Sequence, residues 1–213
     1  VRDGHSSLWA QNMRSGMMLS VLPHLDQASF DSMEFFSGGT QIKKAAQDLG
    51  EDALQWLKRG AALAKRTELR LHGGIRGGFS LIPLSVRRLL VEMVIDQGVT
   101  VNRSSNPWND FQEHKPEVED LRKMGMRTVV NVIYSISPKH TDDYYRERIG
   151  QAAALQPYRI CFKDVGGLLT PERTREITAI FKENAENIDL EFHAHSNNGL
   201  SPVNVLEAAK SGI

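Results

Sequence analysis

Six short apolar, β-branched runs alternate with longer amphipathic segments along this chain, and that alternation most constrains how it can fold. It is the pattern of repeated βα units built around a parallel sheet. The candidate strands are residues 29–36, 68–72, 99–103, 128–134, 158–163 and 188–195. Helical patterning covers 39–49 with 51–65, 83–97, 116–124, 142–156, 171–184 and 202–210. Several of these segments open with proline, whose missing N–H does no harm in a first helical turn. Polar residues gather where the runs end: Arg103 to Asn109, Tyr134 to Pro138, Lys163-Asp164, and His193 to Asn198. In a (β/α)8 barrel the strand ends open on one face and collect the functional groups. The expected fold is therefore an α/β (β/α)8 TIM barrel; an open doubly wound sheet, which also places ligands at strand ends, is the competing architecture.

No linker or internal repeat marks a second domain, so residues 1–213 are read as one partial barrel domain. Val1-Arg2-Asp3 has no initiator methionine, and residues 207–213 read as a helix end, its glycine cap and the first residue of another strand. The expectation is a barrel truncated at both ends, the first strand mostly missing and the eighth missing, that does not close on its own. Gly73-Gly74-Ile75-Arg76-Gly77-Gly78 lacks the Lys-Ser/Thr of a phosphate-binding loop and reads as a flexible βα connection.

Twenty-six basic residues balance 26 acidic ones, which leaves no field to recruit nucleic acid or an anionic membrane. There is no long apolar span and no secretory signal, and the single Cys161 excludes an intramolecular disulfide framework. A cytoplasmic protein is expected, with Cys161 as a small core residue.

His193-Ala194-His195 closes the last apolar run. On a helix, positions i and i+2 face apart; on a strand they point the same way, about 6.6 Å apart along the chain. The alternation before the pair and the turn cluster Ser196-Asn197-Asn198-Gly199 after it favour the strand. Two imidazoles can then meet one ion, or serve as two hydrogen-bonded histidines at a barrel rim.

Four segments in chain order carry a resemblance to a known family. They are Arg2-Asp3-Gly4-His5-Ser6-Ser7-Leu8, Tyr134-Ser135-Ile136-Ser137-Pro138-Lys139-His140-Thr141, Ile160-Cys161-Phe162-Lys163-Asp164-Val165-Gly166-Gly167-Leu168-Leu169-Thr170-Pro171, and Phe192-His193-Ala194-His195. The chain resembles the carboxyltransferase domain of biotin-dependent enzymes, of the pyruvate carboxylase and oxaloacetate decarboxylase alpha-subunit type, within the HMG-CoA lyase-like TIM-barrel superfamily. The resemblance implies metal ligands at Asp3, Lys163, His193 and His195, with Asp3 at the end of the first strand. Carboxylate oxygen and neutral imidazole suit Zn, Mn or Co better than calcium. An ammonium cannot ligate a cation, but a neutral lysine amine can take up CO2 as a carbamate, and in the family this lysine is so modified. A metal of this kind acts as a Lewis acid on a carbonyl and stabilises an enolate. The resemblance also implies biotin on an external carrier domain or subunit, since no biotinyl Met-Lys-Met is present here, and a homo-oligomer when full length.

The substrate shell departs from the family. Ser6 stands where the family has a glutamine, His72 where it has an arginine for the substrate carboxylate, Ser196 where it has an aspartate, and Ile133 where the decarboxylase branch has a cysteine. Arg70 or Arg76 could compensate for His72. Arg103 matches an arginine at a strand end, with Asn109 and Asp110 continuing the match, and Trp108 reads as a cover over the barrel mouth. The candidate catalytic and substrate residues are Lys163, Arg103, His72 and Ser6. The expected activity is a metal-dependent carboxyltransferase or decarboxylase acting on a 2-oxo acid or acyl substrate through a metal-stabilised enolate, exchanging carboxyl with the carrier's biotin. A biotin-independent aldolase or lyase of the same superfamily is the alternative, and a non-catalytic scaffold a third reading.

Overall fold

The computed structural model describes residues 2–72 and 83–213, so the glycine-rich run, and Arg76 with it, lies outside the described residues. The chain is α/β, with six strands among the described residues, the first three pairing in parallel in chain order and the last three likewise. It divides into two compact units, Val1–Arg103 with Lys123–Arg127, and Ser104–Arg122 with Thr128–Ile213. Among the described residues no helix is long and apolar enough to cross a membrane.

The first unit holds α1 (Arg2–Ser7), α2 (Ser15–Gln27), β1 (Ser32–Ser37), α3 (Gly38–Lys44, prolonged by a π-helical turn, Ala45–Leu49), α4 (Ala53–Leu63), β2 (Glu68–His72), α5 (Leu84–Asp96) and the start of β3 (Val101–Ser105). β1 pairs with β2 and β2 with β3, both parallel. Two helices escape the sequence pattern. α1 occupies the place read as the tail of a first strand, and Asp3 lies in its first turn. α2 contains Pro23 yet buries Met18, Leu22 and Asp26, an i, i+4, i+8 stripe that could have disclosed it.

Asp26 shows why that helix end matters. Its carboxylate accepts from the backbone N–H groups of Lys65 at 2.9 Å, Arg66 at 3.0 Å and Thr67 at 2.7 Å, the turn that launches β2. The Lys65 N–H above all draws its pKa down to about 2, against the opposing effect of burial. A lowered folded-state pKa stabilises the fold above the unfolded carboxylate range and is lost on acidification. Acid unfolding of the wild type should draw on this group between about pH 4 and pH 2. Asp26→Asn should flatten that part of the stability profile and lower the neutral-pH melting temperature; an unchanged acid limb in a pH series of thermal melts would exclude the role.

Trp56 of α4 anchors the helix layer, its ring 5.2 Å from both Phe35 and Phe36 of β1. Gly60, one turn further on, leaves room for Phe35: a Cβ there would sit 2.6 Å from Phe35 Cζ. Alanine normally gains about 1 kcal/mol over glycine inside a helix, but overpacking costs about 1–3 kcal/mol. Gly60→Ala is therefore expected to lower stability in a denaturant titration, and a stabilised variant would contradict this packing.

The second unit holds α6 (Phe111–Lys123), β4 (Arg127–Ile133), α7 (Asp142–Ala154), β5 (Arg159–Asp164), α8 (Pro171–Asn184), β6 (Leu190–Ala194) and α9 (Ser201–Lys210). β4–β5 and β5–β6 are parallel pairs. α6 begins five residues before the expected Pro116, because Asp110 accepts from the N–H groups of Gln112 and Glu113 and starts the helix there, leaving the proline inside. Proline does mark the start of α8 at Pro171, where Thr170 caps Arg173 N–H. The core joins Val130 and Val132 of β4, Ile160 and Phe162 of β5, Tyr145 and Ile149 of α7, and Ile177 and Phe181 of α8. Alternation leaves the other faces of these strands to Asn131, Cys161, Lys163 and His193. Cys161 is fully buried, as expected.

Candidate active site

In the second unit, Lys163 closes the side-chain row of β5 and lies in register with His193 of β6. His195 follows His193 on the same side of the strand, their ring centroids 5.2 Å apart. Regular strand pairing ends at Ala194, but His195 N–H still donates to the Asp164 carbonyl at 2.9 Å, so the ladder carries both imidazoles. Lys163 is 9% exposed. This confirms the strand reading of the His-x-His spacing and brings three of the four expected ligands into one unit.

The loop beyond β5 holds this row in place. Asp164 is fully buried and accepts from Leu168 N–H at 3.0 Å and Leu169 N–H at 2.9 Å. Gly167 has φ +63°, and a Cβ there would meet the His195 carbonyl and Asn197 N at 3.0 Å each. Asn197 also donates to the Gly166 carbonyl at 3.1 Å. The Lys-Asp-x-Gly-Gly string thus has a physical reason: only glycine has both the backbone freedom and the clearance for this approach. Gly167→Ala is expected to displace the His195 segment and to weaken any ion held by the histidines at least about tenfold, within the range for losing groups that orient metal ligands. Equal affinity in a metal titration would refute it.

Asp3 belongs to the first unit. Its side chain is 82% exposed and accepts a hydrogen bond from Ser7 Oγ at 2.9 Å within α1. Ser6 Oγ is buried and has no hydrogen-bond partner, and its neighbour His5 is 1% exposed, edge-on to Trp56. Among the described residues no three His, Cys, Asp or Glu side chains form a metal-ready group; the second-unit row depends on Lys163 as its third member.

The first unit also gathers a charged cluster around Glu34 of β1. Arg103 Nε lies 2.5 Å from Glu34 Oε1. Arg2 places Nε 3.0 Å and Nη2 2.5 Å from Glu34 Oε2. His72 Nδ1 is 3.2 Å from Glu34 Oε1 and 3.0 Å from Arg103 Nη2. Burial works against ionisation of Glu34, but His72 and the guanidiniums of Arg103 and Arg2 hold its carboxyl well below the usual range. Burial lowers the His72 pKa, the two guanidiniums lower it further, and Glu34 opposes them.

Two expected residues, His72 and Arg103, therefore meet, and two unexpected ones, Glu34 and Arg2, join them. An acid inside the apolar run Met33-Glu34-Phe35-Phe36 was the available signal for Glu34. Arg70 does not compensate for His72: it faces Asp31 at 3.5 Å and Glu68 at 3.6 Å, at the other end of the strands. Trp108 is 80% exposed, which leaves it little to cover. Asn109 is structural, with its amide donating to the Ile133 carbonyl and accepting from the Ile133 N–H, both at 2.8 Å.

The parallel βα units of this chain share their fold with the carboxyl transferase domain of Rhizobium etli pyruvate carboxylase. Curated relatives of this chain include subunits of a pyruvate carboxylase and of a methylmalonyl-CoA carboxyltransferase. A pyruvate carboxylase subunit of Methanocaldococcus jannaschii is 29% identical over 216 residues, covering 99% of this chain and 37% of that protein. The methylmalonyl-CoA carboxyltransferase 5S subunit of Propionibacterium freudenreichii subsp. shermanii is 26% identical, covering 100% of this chain and 43% of that protein. Among solved structures, the carboxyl transferase domain of Rhizobium etli pyruvate carboxylase with pyruvate and biocytin superposes with TM-score 0.90 at 23% identity, over 100% of this chain and 37% of that one. The chain thus spans well under half the length of these relatives. No family model matches it.

Proposed function

We propose that this chain is the metal-bearing part of a carboxyltransferase that moves a carboxyl group between biotin on a separate carrier and a 2-oxo acid or acyl substrate. The fold on this reading is a (β/α)8 barrel of which the described strands form six. One observation carries the proposal: Lys163 stands in register with His193, and His195 follows on the same side. The donor chemistry of that row fits a divalent ion of the Zn, Mn or Co type, with neutral imidazoles as nitrogen ligands and Lys163 contributing oxygen as a carbamate. The resemblance adds Asp3 as an oxygen donor. A bound ion would supply Lewis-acid polarisation of the substrate carbonyl, favouring the enolate that gains or loses CO2. The loop pinned by Asp164 and Gly167 holds the imidazoles in place before substrate arrives.

The relatives support the substrate class, since they are named for pyruvate and methylmalonyl-CoA chemistry and the R. etli domain is described with pyruvate and biocytin. The test is carboxyl exchange by the full chain with a biotinylated carrier, run with and without avidin. Avidin-sensitive exchange is expected. Cleavage of a hydroxy acid that avidin does not inhibit would replace this reading with the biotin-independent lyase.

A further inference from the structure

The first unit holds a cavity of about 330 Å³ at the amino ends of β2 and β3, lined by Ala61 and Ala64 where α4 ends, by Lys65, Arg66 and Glu68, and by Thr100 ahead of β3. His72 and Arg103 stand towards the opposite ends of the same two strands. Asp26 gives this cavity its chemistry. The last carbonyls of a helix have no intrahelical donors, and the N–H groups that follow commonly turn back to serve them. Here the N–H groups of Lys65, Arg66 and Thr67 all go to the Asp26 carboxylate instead. Ala64 N–H closes on the Gly60 carbonyl, which leaves the carbonyls of Ala61, Ala62 and Leu63 without a backbone donor among the described residues. The last turn of α4 also carries no basic residue, so the negative end of the helix faces the cavity uncompensated from within the helix.

We propose that the cavity binds a small zwitterion of the α-amino-acid type, its carboxylate held by Lys65 and Arg66 and its ammonium by the open carbonyls at the end of α4. The Lys65 and Arg66 side chains are exposed, and neither has a partner among the described residues. Glu68 does not neutralise them, because its carboxylate bonds Arg127 and lies 3.6 Å from Arg70 Nε. A simple anion would meet the negative helix end, and a simple cation would meet the two side-chain charges. A molecule with both signs on neighbouring carbons suits both walls, and the arginine fork matches a carboxylate. The volume is at the small end of the range for metabolite sites, which favours a short side chain. Asp26 is a positioning residue in this scheme, since it fixes the turn that carries both cations. The site is independent of the carboxyltransferase reading and stands whether or not that reading holds.

The experiment is 1H–15N NMR of the full chain, following the backbone signals of Lys65, Arg66, Glu68 and Thr100 while L-alanine, L-lactate and L-alaninamide are titrated in turn. L-Lactate replaces the ammonium with an uncharged hydroxyl, and L-alaninamide removes the carboxylate charge. L-Alanine should shift these signals saturably and bind at least about tenfold tighter than either analogue, a factor that one hydrogen bond to a charged group can supply. The double variant Lys65→Gln, Arg66→Gln should weaken L-alanine at least about tenfold for the same reason. Ala64→Leu, which fills the cavity and keeps both charges, should abolish the response. Lys58→Gln removes an exposed cation of α4 outside the lining and should leave binding unchanged. L-Lactate binding as tightly as L-alanine would show a bare anion site and overturn the proposal. So would equal binding of L-alaninamide, undiminished binding in the double variant or in Ala64→Leu, or no saturable shift with L-alanine.

Discussion

Replacing His193 or His195 with alanine is expected to abolish stoichiometric divalent metal in the full chain and to reduce carboxyl exchange with it. Each imidazole is one of few nitrogen donors in the row formed with Lys163, and the pair share one side of β6 at 5.2 Å. Losing even the groups that orient metal ligands costs about 10–100-fold in affinity, so loss of a ligand should cost at least about 100-fold. Elemental analysis of the purified variants reads the first effect, and exchange assays at saturating metal read the second. His140→Ala is the control, since that ring bonds Ser137 Oγ at 2.7 Å in a different loop and should leave metal content unchanged. Unaltered stoichiometry in His193→Ala and His195→Ala would remove the basis for a metal centre here.

Glu34→Gln is expected to be the most destabilising single polar substitution in the first unit. The glutamine keeps the shape but removes the charge that Arg2, Arg103 and His72 converge on. Removing one partner of a largely buried pair costs about 3 kcal/mol at the lower end of the usual range. Glu34, with 18% of its side chain exposed, belongs at that end. For a chain of this size such a loss lowers the melting temperature by about 6–12 °C. Arg103→Met should cost less in a Glu34→Gln background than alone, because the guanidinium has by then lost its carboxylate. Strict additivity in that double-mutant cycle would show that the two groups do not act together.

The elements were legible in the sequence to different degrees. β2 falls at residues 68–72, where the alternation puts it, and β4, β5 and β6 fall within a few residues of their expected ends. β2, β5 and β6 alternate polar with apolar residues, so a period of two survives in the sequence, whereas β4 is marked by its β-branched run. α2 was hidden because Pro23 sits inside it and its stripe ends in a buried acid, Asp26, which a hydrophobic pattern does not count. The start of α6 is set by the Asp110 cap, a short polar side chain, rather than by Pro116, which the helix carries inside it. The likeness of Lys163, His193 and His195 to a ligand set was visible as motif strings, whereas Asp164 and Gly167 stood in those strings as letters without a cause until the loop they hold could be seen.

What the sequence alone determined is the α/β alternation and the placement of His193 and His195 on one side of a strand, because both follow from local geometry: side-chain direction along a strand depends only on position. Tertiary structure decided which charges meet. Arg2, Glu34, His72 and Arg103 lie on four separate elements, and they converge because parallel pairing matches Ser37 with His72 and His72 with Arg103. Register between strands is set by the packing of whole faces rather than by any one residue, so the Glu34 cluster exists only once the chain has folded.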